Sequence, residues 1–142
     1  MTPDWMRFLP RRLVLNLSTL GPLGYVRKGP GTAGSAAGLG FYVVFLWGSN
    51  PFMQLLICAL LAWLSVFICD QAEKRFHKVD PPEIILDEFV GMPIVFLGVP
   101  LTTMEAPWVA ALLGFGLFRW LDIQKPLLIG NLQNLPGGQG IV

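Results

Sequence analysis

Asp87 and Glu88 stand side by side in the stretch PPEIILDEFVGMP (81–93), with Glu83 just upstream and an uncharged apolar run directly after them. An ionised carboxylate buried without a partner is so costly that it neutralises instead. These acids therefore belong at a water boundary, or something positive meets them. On a helix, Glu83 and Asp87 would stack at i and i+4, where like charges destabilise by roughly 0.2–0.5 kcal/mol. A divalent cation would remove that repulsion. An all-oxygen ligand set suits Mg²⁺, which is typically held by one or two carboxylates together with a substrate phosphate. The plainer alternative is a solvated acidic helix end paired with Lys74, Arg75 or Lys78.

A second constellation is FRWLDIQKP (118–126), which sets Arg119, Asp122 and Lys125 at three-residue spacing. At about 100° per residue, three such positions share one broad helix face, and Pro126 then discourages continuation. A guanidinium forks onto phosphate oxygens and a lysine adds a point charge; an aspartate between them holds a metal or orients the arginine. The competing reading is interfacial snorkelling with an intrahelical Arg119–Asp122 pair. It accounts for the basic residues better than for an aspartate beside so apolar a segment.

The third is KGPGTAGSAAGLG (28–40), glycines at the start of an apolar segment, with Thr32 or Ser35 available as a cap. Exposed N–H groups at a helix start make an anion site. No Gly-Lys-Ser/Thr follows, so it is not a Walker loop. Gly34 and Gly38 also form a small-xxx-small spacing that lets helices approach closely. The two readings use different parts of the stretch. LPGGQG (135–140) is a second loop of the same kind.

Other phosphoryl-transfer chemistries drop out. Cys69 and Arg75 match the spacing of a cysteine-phosphatase loop, but the intervening DQAEK has no glycine to turn N–H groups inward and two acids that repel phosphate. His77 is the single histidine, which excludes mechanisms needing two or three, and it reads as a surface residue. Cys58 and Cys69 are too few for a thiolate zinc site and read as lipid- or core-facing.

The elements that must position these residues are apolar. Of 142 residues, 54% are hydrophobic and 13% charged, with a mean hydropathy of +0.59; soluble domains carry about 25% charged residues. That deficit points to the bilayer. The net charge of +1 argues against a nucleic-acid partner. Four apolar segments stand out, 33–47, 52–69, 89–101 and 107–121. Only the second approaches the ~18–20 residues of an unaided span. The others reach roughly 20–23 Å at ~1.5 Å per residue, short of a ~30 Å hydrocarbon core. The stretch after Arg12 is too short and polar-broken for a cleavable signal peptide.

The joints 48–51 and 102–106 contain no Lys or Arg, and all ten basic residues lie elsewhere. If the segments form two helical hairpins, every basic residue falls on one side, as the positive-inside rule requires of the cytoplasmic face. The expected architecture is a single-domain (1–142), all-α, small integral membrane protein. It has short apolar helices in two hairpins and a polar site at the cytoplasmic face.

GPGTAGS (29–35), DPPEIILDEFVG (80–91), FRWLDIQKP (118–126) and PGGQGIV (136–142) follow, in order and at matching separations, the pattern of bacterial phosphatidylglycerophosphatase A, which this sequence resembles over most of its length beyond residue 28. The resemblance implies a Mg²⁺-dependent enzyme of the bacterial inner membrane that removes the terminal phosphate of phosphatidylglycerophosphate to give phosphatidylglycerol. It assigns importance to Asp80, Asp87, Glu88, Arg119, Asp122 and Lys125, with Gly31, Thr32, Gly34 and Ser35 in the glycine loop. On that basis Asp87, Glu88 and Asp122 are the expected metal ligands, and Arg119 and Lys125 the expected phosphate-neutralising cations. Asp80 and the glycine loop are expected at the substrate. In the family the final glycine motif leads into an aspartate pair and a further apolar helix, and Val142 precedes both, so the family's C-terminal end is expected to be missing. Two rivals remain: a non-enzymatic membrane protein such as a transporter subunit, whose acids line an ion path, and a related phosphatase acting on a soluble phosphate ester.

Overall fold

The structure, a computed structural model, describes residues 9–77 and 81–124. Asp80, Lys125, Lys78 and the 135–140 glycine stretch lie outside the described residues.

Among the described residues, five α-helices are built from local signals the sequence carries. The first, α1 (Arg11–Ser18), is followed by a short 3₁₀ turn, Gly21–Tyr25. Helix α2 (Pro30–Phe41) starts from Gly29 in the left-handed region (φ 69°), with Pro30 at the first helical position. No side chain caps it, so neither Thr32 nor Ser35 takes the expected capping role. Ser35 lies a turn inside and bonds back to the Gly31 carbonyl at 2.9 Å. The helix continues as one π turn, Tyr42–Leu46.

Asn50 starts α3 (Pro51–Phe76), its side chain accepting from the Phe52 N–H at 2.8 Å. Lys74 and Arg75 lie in the last turn, where cations suit the helix dipole. Among the described residues α3 is the helix long and apolar enough to cross a membrane.

Helix α4 (Leu86–Val95) begins later than the acidic stretch itself. Pro81 and Pro82 hold the preceding residues in a turn, closed by the Ile84 N–H on the Pro81 carbonyl at 3.0 Å. Glu83 therefore precedes the helix, and the expected stacking of Glu83 over Asp87 does not arise. The third apolar segment also stops being helical at Val95 rather than 101, where Gly98 (φ 74°) and Pro100 break the pattern. Helix α5 is Pro107–Gln124.

Packing centres on α4, which lies against α2 on one side and α3 on another. Glycines set the α2–α4 distance. A methyl on Gly34 would stand 2.8 Å from the Ile85 carbonyl oxygen, and one on Gly38 would meet the Phe89 carbonyl and, at 2.9 Å, the Met92 Cβ. The expected small-xxx-small spacing thus serves backbone-to-backbone approach. Helix α5 leans on α2 and α4 through a narrow strip: Ala111 is buried, while Trp108, Leu112, Leu113, Leu117 and Trp120 are exposed.

Two apolar clusters fill the interior. One gathers Tyr42, Leu46, Cys58, Met92, Phe96 and Leu101; the other gathers Val14, Cys69, Ala72, Ile84, Leu86 and Val90. Each takes one cysteine as a small apolar filler, the core-facing of the two placements the sequence allowed.

The two ends of the bundle differ. At one, the side-chain amide of Gln54 donates to the carbonyls of Leu46 and Ser49, both at 3.2 Å, and its oxygen accepts from the Gly98 N–H at 3.3 Å. A cavity of about 190 Å³ lies there between residues 48–54 and 98–102. At the other end, Arg75 donates to the carbonyls of Leu9 (2.9 Å) and Pro10 (3.3 Å), laying α1 across the end of α3. The Ile85 N–H reaches the Ser18 carbonyl at 3.0 Å and ties α1 to the start of α4.

Candidate active site

Three helix segments converge at that second end: the first turn of α2, the first turn of α4 and the last turns of α5. Asp87 and Glu88 occupy the first turn of α4, where a helix start favours negative charge. Their side chains meet. Burial, and then the neighbouring Glu88 carboxyl, push the Asp87 carboxyl well above the usual carboxylate range, against the lowering effect of nearby backbone N–H groups. Asp87 Oδ1 and Glu88 Oε2 are buried with no hydrogen-bond partner among the described residues.

The plain pairing of these acids with the cations of α3 is not what the fold provides. Lys74 bonds Asp70 at 2.6 Å and Arg75 is committed to the carbonyls of Leu9 and Pro10. His77 is exposed, in the left-handed conformation that ends α3.

Arg119 enters from α5, with its side chain 14% exposed. Its Nη1 donates to Asp122 Oδ2 at 2.7 Å and, at 3.4 Å, to the hydroxyl of the fully buried Ser35. Its Nε is buried with no partner among the described residues. The three-residue spacing thus makes the intrahelical pair that the sequence allowed.

Gly31 lies between the acid and the base. A methyl built on it would collide with Glu88 Oε1 and stand 3.2 Å from Arg119 Nη1. The missing side chain is what brings opposite charges from α4 and α5 to the same edge of α2. Gly34 and Ser35 are buried one turn on, against α4 and beneath Arg119, while Thr32 is exposed.

The structure therefore brings together Gly31, Ser35, Glu88, Arg119 and Asp122, with Asp87 beside Glu88. Among the described residues no group of three or more His, Cys, Asp or Glu side chains is arranged to hold a metal. The donor set still fits a hard cation: two adjoining carboxylates, each with a buried, unpartnered oxygen, match the one or two carboxylates by which Mg²⁺ is commonly held. Asp122, expected as a third ligand, spends Oδ2 on Arg119.

Two features were not read from the sequence. One is the Ser35–Arg119 contact, for which a serine inside a glycine-rich helix start is only a weak signal. The other is the burial of the Glu83 carboxyl off the helix, its Oε2 without a hydrogen-bond partner among the described residues. A carboxylate next to two prolines in an apolar stretch was the available sign.

A family model described as phosphatidylglycerophosphatase A matches residues 16–142. Phosphatidylglycerophosphatase A of Escherichia coli K12 is 37% identical over 115 residues, covering 80% of this chain and 63% of that protein. The Haemophilus influenzae Rd protein of the same name is 35% identical over 122 residues, covering 84% and 71%. A Bacteroides thetaiotaomicron protein with the provisional name phosphatidylinositol-3-phosphatase is 31% identical over 124 residues, covering 84% and 76%. The match thus spans just under two thirds of the Escherichia coli protein's length. No solved structure matches. With the family model covering nearly all of the chain, the chain belongs to the phosphatidylglycerophosphatase A family.

Proposed function

We propose that this chain is a Mg²⁺-dependent lipid phosphatase that hydrolyses phosphatidylglycerophosphate to phosphatidylglycerol and phosphate. The observation that carries the reading is the meeting of Glu88 and Arg119 across Gly31: an acid with an unpartnered oxygen and a guanidinium with an unpartnered Nε share one edge. A phosphomonoester dianion is a ligand that answers both, taking hydrogen bonds from the guanidinium and sharing a cation with the carboxylates.

Asp87 and Glu88 would hold the metal. When bound, Mg²⁺ supplies charge for the phosphate oxygens and a more acidic water. Arg119 neutralises charge as it builds on the phosphoryl oxygens, with Asp122 and Ser35 holding Nη1 so that the Nε edge stays directed at the substrate. Asp122 thereby acts through the arginine. Lys125 and Asp80, one residue past α5 and six before α4, are assigned to the substrate on the resemblance alone.

The setting proposed is the bacterial inner membrane, with the site at its cytoplasmic face and the acyl chains left in the bilayer. Support comes from α3, long and apolar enough to span, and from exposed apolar side chains along α3 and α5, including Leu56, Leu60, Trp63, Leu113 and Leu117. The described basic residues gather at the end that holds the acids, as the positive-inside rule demands of two outward-tipped hairpins.

The test is phosphate release from phosphatidylglycerophosphate in detergent, with and without Mg²⁺. Phosphatidylinositol 3-phosphate and glycerol 3-phosphate serve as competing lipid and soluble esters. Mg²⁺-dependent release with preference for phosphatidylglycerophosphate is expected. Preference for the soluble ester, or release unaffected by removing divalent cations, would overturn the assignment.

A further inference from the structure

Residues 9–29 hold Arg11, Arg12, Arg27 and Lys28 and not one acid. All four basic side chains are exposed. The same segment leaves apolar groups in the open. On α1, Val14 and Ser18 face inward, while Leu13 and Leu17, one turn apart, are exposed. Tyr25 and Val26 follow immediately before the second basic pair, and these four apolar residues are 42 to 59% exposed. A short helix that shows leucines and arginines together is poorly served by water. At a bilayer surface the leucines and aromatic ring enter the headgroup–acyl boundary and the arginines meet lipid phosphates.

The segment is also fixed in place. Arg75 holds the carbonyls of Leu9 and Pro10, Arg11 returns a hydrogen bond to the Arg75 carbonyl at 3.4 Å, and the Ser18 carbonyl holds the N–H of Ile85. Lys28 stands two residues before Pro30, where α2 opens toward Gly31. The cationic, apolar surface therefore borders the mouth of the site.

We propose that residues 9–28 form an interfacial platform that binds the headgroups of anionic lipids, with Arg12, Arg27 and Lys28 on the phosphates and Leu13, Leu17, Tyr25 and Val26 in the boundary layer. The charge complementarity is one-sided: four cations in a stretch that carries no acid of its own select an anionic bilayer over a neutral one. The platform rests on the membrane setting proposed above, and it adds a preference for lipid charge next to the catalytic edge.

The experiment uses the full chain in vesicles of phosphatidylcholine alone or of phosphatidylcholine with phosphatidylserine. Cys58 and Cys69 are replaced by alanine, and Leu17→Cys carries an environment-sensitive fluorophore. Lipids brominated just below the headgroup are the quencher. Quenching should be at least about threefold greater in the anionic vesicles, and should fall to the neutral level at ~1 M salt, where the screening length is ~3 Å. R12E/R27E/K28E should abolish the difference while the protein still floats with both vesicle types. Equal quenching in both compositions, or a triple variant that quenches like its parent, would overturn the platform while leaving the membrane setting intact. Failure to float with either vesicle would overturn the setting and the platform together.

Discussion

Ser35 and Arg119 lie 84 residues apart in the chain, yet the buried Ser35 hydroxyl accepts from Arg119 Nη1 at 3.4 Å while donating to the Gly31 carbonyl at 2.9 Å. The hydroxyl thus connects the first turn of α2 to the guanidinium of α5. At 3.4 Å the bond is long, so its loss should sit near the lower end of the ~1.5–3 kcal/mol typical of hydrogen bonds to charged groups. Ser35→Ala is expected to keep the fold and lose about tenfold in kcat/KM for phosphatidylglycerophosphate. Steady-state kinetics beside an unchanged unfolding temperature would check it.

Arg119→Lys separates a phosphate fork from a membrane anchor. Lysine keeps the charge and reaches an interface as well, but it lacks the planar fork. The expected outcome is normal folding and a fall of about 10- to 150-fold in kcat/KM, matching ~1.5–3 kcal/mol. Near-normal turnover would return Arg119 to an anchoring role.

Gly31 and Gly40 form a matched pair on the same helix. A methyl at Gly31 meets the Glu88 carboxylate and Arg119, whereas one at Gly40 meets nothing within 4 Å. Gly31→Ala should displace both charged groups and cost on the order of 10- to 100-fold in activity. Gly40→Ala should leave activity alone and add ~0.5–1 kcal/mol of stability. Parallel assays and thermal unfolding of the two variants decide it; equal activities would remove Gly31 from the site.

Asp87 gives a pH dependence whose sign can be worked out. Its carboxyl is held above its unfolded value of about 3.9 by burial and by Glu88. The stabilisation this brings is complete below the unfolded pKa and is lost as pH rises through the folded one. Without divalent cations, Tm should therefore fall as pH rises, and Asp87→Asn should flatten that slope. Mg²⁺ favours the ionised carboxylates and should raise Tm at neutral pH. Asp87→Asn and Glu88→Gln should each lose both the Mg²⁺-induced rise and Mg²⁺-dependent hydrolysis, with Glu83→Gln milder. An unchanged Mg²⁺ response in Asp87→Asn would exclude it as a ligand.

The joints opposite the acids should face away from the cytoplasm. Single cysteines at Ser49 and Thr103, in a chain lacking Cys58 and Cys69, are expected to react with a membrane-impermeant thiol reagent added to intact cells. Labelling seen only after lysis would reverse the topology.

What the sequence alone determined is local. Apolar segments of limited length, with proline and glycine punctuation, forecast α2, α3, α4 and α5 in order, while α1 was not forecast. Three-residue spacing allowed the Arg119–Asp122 pair as the competing reading, because i and i+3 are neighbours on any helix. The bounds of α4 were missed, since consecutive prolines hold a turn and keep Glu83 off the helix. Tertiary structure alone decided which distant residues meet. Helix α4 packs on α2 because Gly34 and Gly38 admit its backbone, and only that approach brings Glu88 to Gly31. Ser35 looked like a cap or a phosphate donor, and its contact with Arg119 depends on where α5 crosses α2. No periodicity within one helix encodes such a crossing, which is set by how side chains, and their absence at glycine, fill the space between helices.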